Sequence, residues 1–197
     1  MTRLAISVEG ATEREFVQRV LKPYLTPFGK QVTAIDLRGN VSLDKMAGQL
    51  PALFGSFDRV STLYDFYGFK GRGTLSVDEL EAEMVARVGE GRGQRFLPYI
   101  QKYEFEALLF AVPAHVVEWL SGGDAELVLL NDAVHRSGSP ENVNGAVETS
   151  PSHRLKNIFK AYDKKLHGPE ILELAGLQEI RAHCPRFDMW VTRLEAL

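Results

Sequence analysis

The feature that most restricts the fold is a short apolar segment followed at once by a polar turn and a capped helix. Residues 4–8 are mostly apolar, as in a buried strand of a parallel sheet. Thr12 and Glu15 have the spacing of a capping box, which predicts a helix that begins near Glu13. Open α/β proteins bind ligands at the carboxyl ends of their strands. Glu9 and Glu13 therefore flank a turn where catalytic groups are expected.

Two acids in this turn indicate a cation. A phosphate-binding turn needs bare backbone amides and often a lysine, whereas this one has a single glycine and negative charge. Two carboxylates would repel a phosphate unless a divalent ion lay between them, and Mg²⁺ is commonly held by one or two carboxylates plus substrate phosphates. The alternative is that Glu9 is a solvated strand end and that Glu13 interacts only with the helix dipole.

Composition excludes several classes of protein. The net charge is −3, so nucleic-acid binding would need a local basic patch, a metal or a partner. Cys184 is the single cysteine, which excludes internal disulfides and a cysteine-based zinc cluster. The histidines lack the His-x-x-x-His spacing of zinc proteases. Because the sequence has neither a membrane-length apolar stretch nor a signal-peptide core, we expect a cytoplasmic protein without membrane association.

Strands and helices alternate in the first half of the chain. Further strands are predicted over residues 31–37, 59–64 and 95–101. Helices are predicted over residues 43–54 and 76–88, and later over 114–120, 125–134, 152–162, 170–174 and 186–194. Pro51 should bend or divide the first of these, and Ser76 with Glu79 forms a capping box at the start of the second. The order favours an α/β fold with a mostly parallel four-stranded sheet over residues 1–112 and a helical cap over residues 113–197 on the same core.

A third acid repeats the position of the first. Asp65 ends the third predicted strand, as Glu9 ends the first, and both strand ends lie at the same edge of a parallel sheet. Together with Glu13, these side chains are predicted to bind one divalent ion. The glycine-rich loop after Asp65 carries Lys70 and Arg72, which are predicted to bind substrate phosphates.

Four motifs together resemble a known family. They occupy residues 9–13 (EGATE), 64–68 (YDFYG), 103–110 (YEFEALLF) and 162–169 (YDKKLHGP). The combination resembles the bacterial family called domain of unknown function four-two-seven-six, and the first two motifs resemble the Toprim fold of topoisomerases, primases and overcoming-lysogenization-defect nucleases. The resemblance implies a Toprim-like α/β fold in which Glu9, Glu13 and Asp65 bind Mg²⁺ or Mn²⁺.

One position departs from the Toprim pattern. Toprim proteins carry a second aspartate two residues after the first, whereas Asp65 is followed at that spacing by Tyr67. Either one metal is sufficient, or Glu104 or Glu106 completes a second site. We favour Glu104 as a metal ligand; the alternative is that Glu104 stabilises the amino terminus of a short buried helix predicted over residues 107–110.

The carboxyl-terminal half supplies the densest group of cations. Lys156, Lys160, Lys164 and Lys165 follow one another closely in the sequence. Lys164 lies beside a predicted turn and is interpreted as a catalytic residue at the scissile phosphate, while Lys156 and Lys160 are interpreted as substrate-binding residues. The alternative is that these lysines form an ordinary solvated helix face.

These features predict a Mg²⁺- or Mn²⁺-dependent phosphoryl-transfer protein, specifically a nuclease that acts on DNA or RNA. The alternative is a non-catalytic subunit that binds nucleotide or nucleic acid and regulates an ATPase. Overcoming-lysogenization-defect proteins join a Toprim module to an ATPase. Because this sequence has no Walker loop, the resemblance implies a separate ATPase chain in a phage-defence system. The simplest alternative is a structural α/β protein whose acids are merely solvated.

Overall fold

The computed structural model describes residues 1–144 and 149–197 and centres on a parallel sheet. The strands are β1 (Thr2–Val8), β2 (Lys30–Asp36), β3 (Arg59–Asp65), β4 (Phe96–Leu97) and β5 (Ile100–Gln101). They follow the order β2-β1-β3-β4, and β5 also pairs with β3. Every pairing is parallel, so the carboxyl ends of β1 and β3 lie at one edge. The α/β class and the mostly parallel sheet are confirmed.

Helices cover the sheet and form most of the carboxyl-terminal half. They are α1 (Ala11–Phe16), α2 (Lys22–Leu25), α3 (Leu43–Leu53), α4 (Val77–Arg87), α5 (Pro113–Trp119), α6 (Asp124–Ser137), α7 (Pro151–Ile158), α8 (Lys164–Ala175), α9 (Leu177–His183) and α10 (Pro185–Ala196). A π-helical segment, Val17–Leu21, joins α1 to α2, and a 3₁₀ helix spans Phe105–Ala111. Within the described ranges, no helix has the length and apolar character needed to cross a membrane.

The sheet has five strands where four were predicted. The segment predicted as one strand over residues 95–101 forms two short strands, in which Phe96 pairs with Val60 and Ile100 pairs with Tyr64. Pro98 lies between them and has no N–H to donate to a neighbouring strand, which explains the interruption.

The first helix begins earlier than predicted, because its cap is a different residue. Gly10 is the N-cap, and its N–H donates a hydrogen bond of 3.0 Å to Glu13 Oε2. The predicted box between Thr12 and Glu15 is therefore wrong, since both residues lie inside the helix. The Ser76–Glu79 box at the start of α4 is confirmed.

Two prolines lie inside helices. Pro51 does not divide α3, which continues past it to Leu53. Pro169 lies inside α8, which was predicted only from residue 170 onward. That helix begins at Lys164 because the Asp163 side chain accepts a hydrogen bond of 2.9 Å from the N–H of Lys165.

The two faces of the sheet pack against different hydrophobic clusters. Leu4 and Ile6 of β1 belong to the cluster that contains α1 and α10, whereas Ala5 belongs to the cluster that contains α3 and α4. Trp190 of α10 donates a hydrogen bond of 2.9 Å through Nε1 to Ser61 Oγ on β3. The carboxyl-terminal helices therefore contact the sheet directly, while a domain division at residue 112 stays a prediction.

Candidate functional site

Glu9 lies directly after β1, against the turn that follows β3. A methyl group at Gly68 would lie 2.3 Å from Glu9 Oε2, so only glycine leaves room for this carboxylate. The N–H of Gly39 donates a hydrogen bond of 2.7 Å to the Glu9 carbonyl, which fixes the backbone. Among the described residues, Glu9 Oε2 is buried without a hydrogen-bond partner. Burial raises the pKa of Glu9, and the positive charge of Lys164 opposes that shift.

Asp65 and Glu13 lie at the same edge as Glu9. Asp65 is the buried last residue of β3, and its Oδ1 has no hydrogen-bond partner in the described part of the chain. Burial raises the pKa of Asp65 well above its usual value, and the charges of Glu13, Glu106 and Glu9 raise it further. The structure therefore brings the three predicted acids together, while their role as metal ligands stays a prediction.

A fourth carboxylate, Glu106, joins them. It is 0% exposed, and within the described ranges neither of its carboxylate oxygens has a hydrogen-bond partner. Burial raises its pKa. We call Glu9, Glu13, Asp65 and Glu106 the acid cluster. The sequence signal for Glu106 was a single acid inside the apolar run of residues 105–111.

Glu104 makes a different contact. Its Oε2 accepts a hydrogen bond of 2.9 Å from the N–H of Ser152 in the first turn of α7. It is the N-cap residue of the 3₁₀ helix Phe105–Ala111 and makes no capping hydrogen bond there through its side chain, so stabilisation of that helix by the charge of Glu104 stays a prediction. The interpretation of Glu104 as a metal ligand stays a prediction.

Lys164 is the cation that the acid cluster shares. Its Nζ lies 3.4 Å from Glu106 Oε1. Burial lowers the pKa of Lys164, but the charges of Glu106, Asp65 and Glu13 outweigh burial and raise it, so the ammonium group stays protonated. In turn, Lys164 lowers the pKa of all four acids of the cluster. The first turn of α8 thus supplies the counter-ion of the cluster.

Tyr67 stands where Toprim proteins carry their second aspartate. Its hydroxyl accepts a hydrogen bond from Asn144 Nδ2, and its ring centroid lies 5.3 Å from that of Tyr103. The side chain at this position is therefore a phenol and not a carboxylate.

The other predicted cations differ in their contacts. Lys70 is close enough to lower the pKa of Glu9, and the guanidinium of Arg72 lies 4.2 Å from the ring centroid of Phe66. Lys156 and Lys160 are exposed, in and just after α7, and neither forms an ion pair with another described residue. Their substrate-binding roles stay predictions.

The acid cluster fits a hard divalent ion in the chemistry of its donors. Carboxylate oxygens are preferred ligands of Mg²⁺, and Glu9 Oε2 and Asp65 Oδ1 are buried without partners among the described residues. The carboxylates do not have the spacing of a formed metal site, because the described residues contain no group of three His, Cys, Asp or Glu side chains placed to hold one ion. Lys164 supplies the positive charge in this arrangement, so metal binding requires this side chain or the carboxylates to shift.

The parallel sheet, with acids at its carboxyl edge, defines a Toprim-like α/β protein. The chain belongs to the family described as Domain of unknown function (DUF4276), which matches residues 8–195. No curated protein matches the sequence.

Two solved structures resemble the whole chain. The C-terminal region of the Burkholderia pseudomallei OLD protein has a TM-score of 0.54 at 13% identity, and the match covers 99% of each chain. The C-terminal region of the Xanthomonas campestris pv. campestris OLD protein has a TM-score of 0.49 at 16% identity, covering 99% of this chain and 93% of that one. The first of these likenesses shows a shared fold.

Proposed function

We propose that this protein is a Mg²⁺- or Mn²⁺-dependent nuclease that acts on DNA or RNA. The proposal rests on the acid cluster at the carboxyl edge of the sheet, in which Glu13, Asp65 and Glu106 are buried and Glu9 is partly buried. Burying like charges side by side destabilises the fold, so such a cluster needs a functional reason. Carboxylates with strongly shifted pKa values at the edge of a sheet are typical of active sites. The fold shared with an OLD C-terminal region does not by itself assign a reaction, so the acid cluster carries the proposal.

Different side chains would have different roles in phosphodiester cleavage. Glu9, Glu13 and Asp65 would hold the metal, with Glu106 or Glu104 as a further ligand. The bound ion would supply a Lewis acid and lower the pKa of an attacking water. Lys164 would offset the negative charge that develops on the scissile phosphate, since it already lies among the acids.

The remaining cations would bind the substrate on either side of the cut. Lys70 and Arg72 would contact the phosphates nearest to the acid cluster, because Lys70 already lies within electrostatic reach of Glu9. Lys156 and Lys160 are exposed and would contact phosphates further along the strand. Such contacts position the nucleic acid without reading its sequence.

A second candidate function is regulation of a partner. Lys164 already neutralises part of the acid cluster, and Tyr67 replaces an acid of the Toprim pattern, so the protein would bind nucleic acid without cutting it. By the resemblance to overcoming-lysogenization-defect proteins, we further propose that a separate ATPase is the partner and that the pair acts in phage defence.

Cleavage assays on matched variants test the proposal. We expect Glu9→Gln and Asp65→Asn to abolish cleavage of single- and double-stranded substrates, because each removes a ligand charge and keeps the side-chain size. Glu15→Gln is the control, since Glu15 is a partly exposed acid of α1 that pairs with Arg14 and Arg19. All proteins are assayed with Mg²⁺, Mn²⁺ or chelator, with and without a candidate ATPase.

Three outcomes decide between the candidates. The nuclease function is supported if only the wild type and Glu15→Gln cleave nucleic acid and if this cleavage depends on metal. Cleavage in chelator, or wild-type rates in Glu9→Gln and Asp65→Asn, refutes the metal mechanism. A wild-type protein that binds nucleic acid but cuts nothing under any condition supports the regulatory function.

A further inference from the structure

Three aromatic side chains lie side by side next to the acid cluster. Phe66 and Tyr67 directly follow Asp65, and Tyr103 directly precedes Glu104. The ring centroids of Phe66 and Tyr67 are 6.3 Å apart, and those of Tyr67 and Tyr103 are 5.3 Å apart. All three residues are only partly buried. We call these three residues the aromatic strip.

The backbone holds the aromatic strip in place at some conformational cost. The N–H of Tyr67 donates a hydrogen bond of 2.9 Å to the Tyr103 carbonyl, and the N–H of Phe66 donates one of 3.0 Å to the Gln101 carbonyl. Tyr103 has a φ of 65°, in the left-handed region that bulky residues rarely adopt. Glycine or asparagine would be more relaxed there, and strain of this kind is concentrated at ligand-binding positions.

Cations lie at both ends of the aromatic strip. The Arg72 guanidinium is 4.2 Å from the Phe66 ring centroid, and Lys102 Nζ is 5.5 Å from the Tyr103 ring centroid. Lys102 Nζ also donates a hydrogen bond of 2.6 Å to Asn142 Oδ1, which fixes its position. In a chain of net charge −3, this is a local concentration of aromatic faces and positive charge.

We infer that the aromatic strip stacks the unpaired bases of single-stranded nucleic acid and so leads the adjoining phosphate to the acid cluster. This inference rests on the proposed nuclease function and names its substrate class. Aromatic rings stack on bases of any sequence, and flanking cations bind the phosphates between them. A duplex keeps its bases stacked internally, so the aromatic strip would meet only its backbone.

Equilibrium binding in the presence of chelator tests the inference without any need for cleavage. The probes are labelled oligo(dT), oligo(rU), a duplex of equal length, and an abasic oligonucleotide that keeps the phosphates but lacks the bases. The wild type is expected to bind both single strands about a hundredfold more tightly than the abasic strand, since each stacked base contributes about tenfold and the aromatic strip has rings for at least two bases. The ratio of the oligo(dT) and oligo(rU) affinities separates DNA from RNA as the natural source.

Two substitutions remove rings from the aromatic strip. Tyr103→Asn is expected to fold, because asparagine tolerates a positive φ, and Tyr67→Leu is the second variant. Each should bind oligo(dT) and oligo(rU) about tenfold more weakly, with no change for the abasic strand. Trp119→Ala is the control, since it removes an aromatic side chain that is 42% exposed on α5, outside the aromatic strip. Thermal melting checks the fold of every variant.

Equal wild-type affinity for normal and abasic strands overturns the inference, and that comparison needs no variant. Unchanged affinities in folded Tyr103→Asn and Tyr67→Leu overturn it as well. Failure of the proposed function gives a different result. Base-dependent binding without any metal-dependent cleavage refutes the nuclease function and leaves the base-stacking role supported. Metal-dependent cleavage together with equal affinity for normal and abasic strands refutes only the base-stacking role of the aromatic strip.

Discussion

Removal of the Lys164 ammonium should destabilise the fold, because this group is the counter-ion of the acid cluster. Breaking a fully buried ion pair by deleting one partner costs about 3–5 kcal/mol, since the other charge stays buried. Glu106 is 0% exposed but the Lys164 side chain is 39% exposed, and solvent screening lowers the figure to about 2 kcal/mol. For a chain of 197 residues, the melting temperature of Lys164→Met should then fall by about 4–8 °C.

Thermal unfolding in chelator at neutral pH measures this effect. Lys165→Met is the matched control, because Lys165 is the next residue of α8 and is exposed. Adding Glu106→Gln to Lys164→Met should restore most of the lost stability, since the neutral amide no longer needs a cation. Mg²⁺ should stabilise Lys164→Met more than the wild type if the acids bind the ion.

Two results would refute this reasoning. The first is a Lys164→Met protein that unfolds at the same temperature as Lys165→Met. The second is strict additivity between Lys164→Met and Glu106→Gln, which would show that the two side chains do not interact.

Three further predictions concern the same site and its surroundings. Gly68→Ala would place a methyl group 2.3 Å from Glu9 Oε2, so single-turnover cleavage should slow by about a hundredfold through displacement of Glu9, and a wild-type rate would contradict this. Lys156→Ala and Lys160→Ala should each weaken nucleic-acid binding and reduce the slope of log Kd against log salt by about one, whereas unchanged isotherms would indicate a solvated helix face. Because burial raises the pKa of Asp65 above its ordinary 3.8, ionisation costs the folded state stability as pH rises through the raised pKa. Asp65→Asn should therefore gain stability relative to the wild type as pH rises above about 4, which denaturant melts in chelator across a pH series will measure.

Local sequence signals predicted most of the fold. The apolar run at residues 4–8 and the Ser76–Glu79 box identify a strand and a helix start from neighbouring residues alone, and both are present. Prolines were harder to interpret, because their effect depends on which hydrogen bonds the surrounding structure has to lose. Pro98 interrupts a strand pairing, whereas Pro169 is accommodated inside α8.

The candidate site was only partly predictable for a similar reason. Glu9 follows β1 and Asp65 ends β3, and because these two strands are parallel, both acids lie at the same edge of the sheet. The burial of Glu106 and its pairing with Lys164 depend on how α8 packs, which no local pattern encodes. The need for glycine at position 68 likewise becomes evident only when the Glu9 side chain is placed against it.

The position of Lys164 in the chain also sets an order of assembly during synthesis. The ribosome completes every acid of the cluster before it makes α8, so a nascent chain carries these carboxylates without their counter-ion. Burying them at that stage is unfavourable, and the sheet edge stays hydrated until α8 docks. Synthesis of α10 comes later still, and its Trp190 donates a hydrogen bond to Ser61, 129 residues earlier in the chain. The four carboxylates and Lys164 can therefore come together only after α8 has been synthesised.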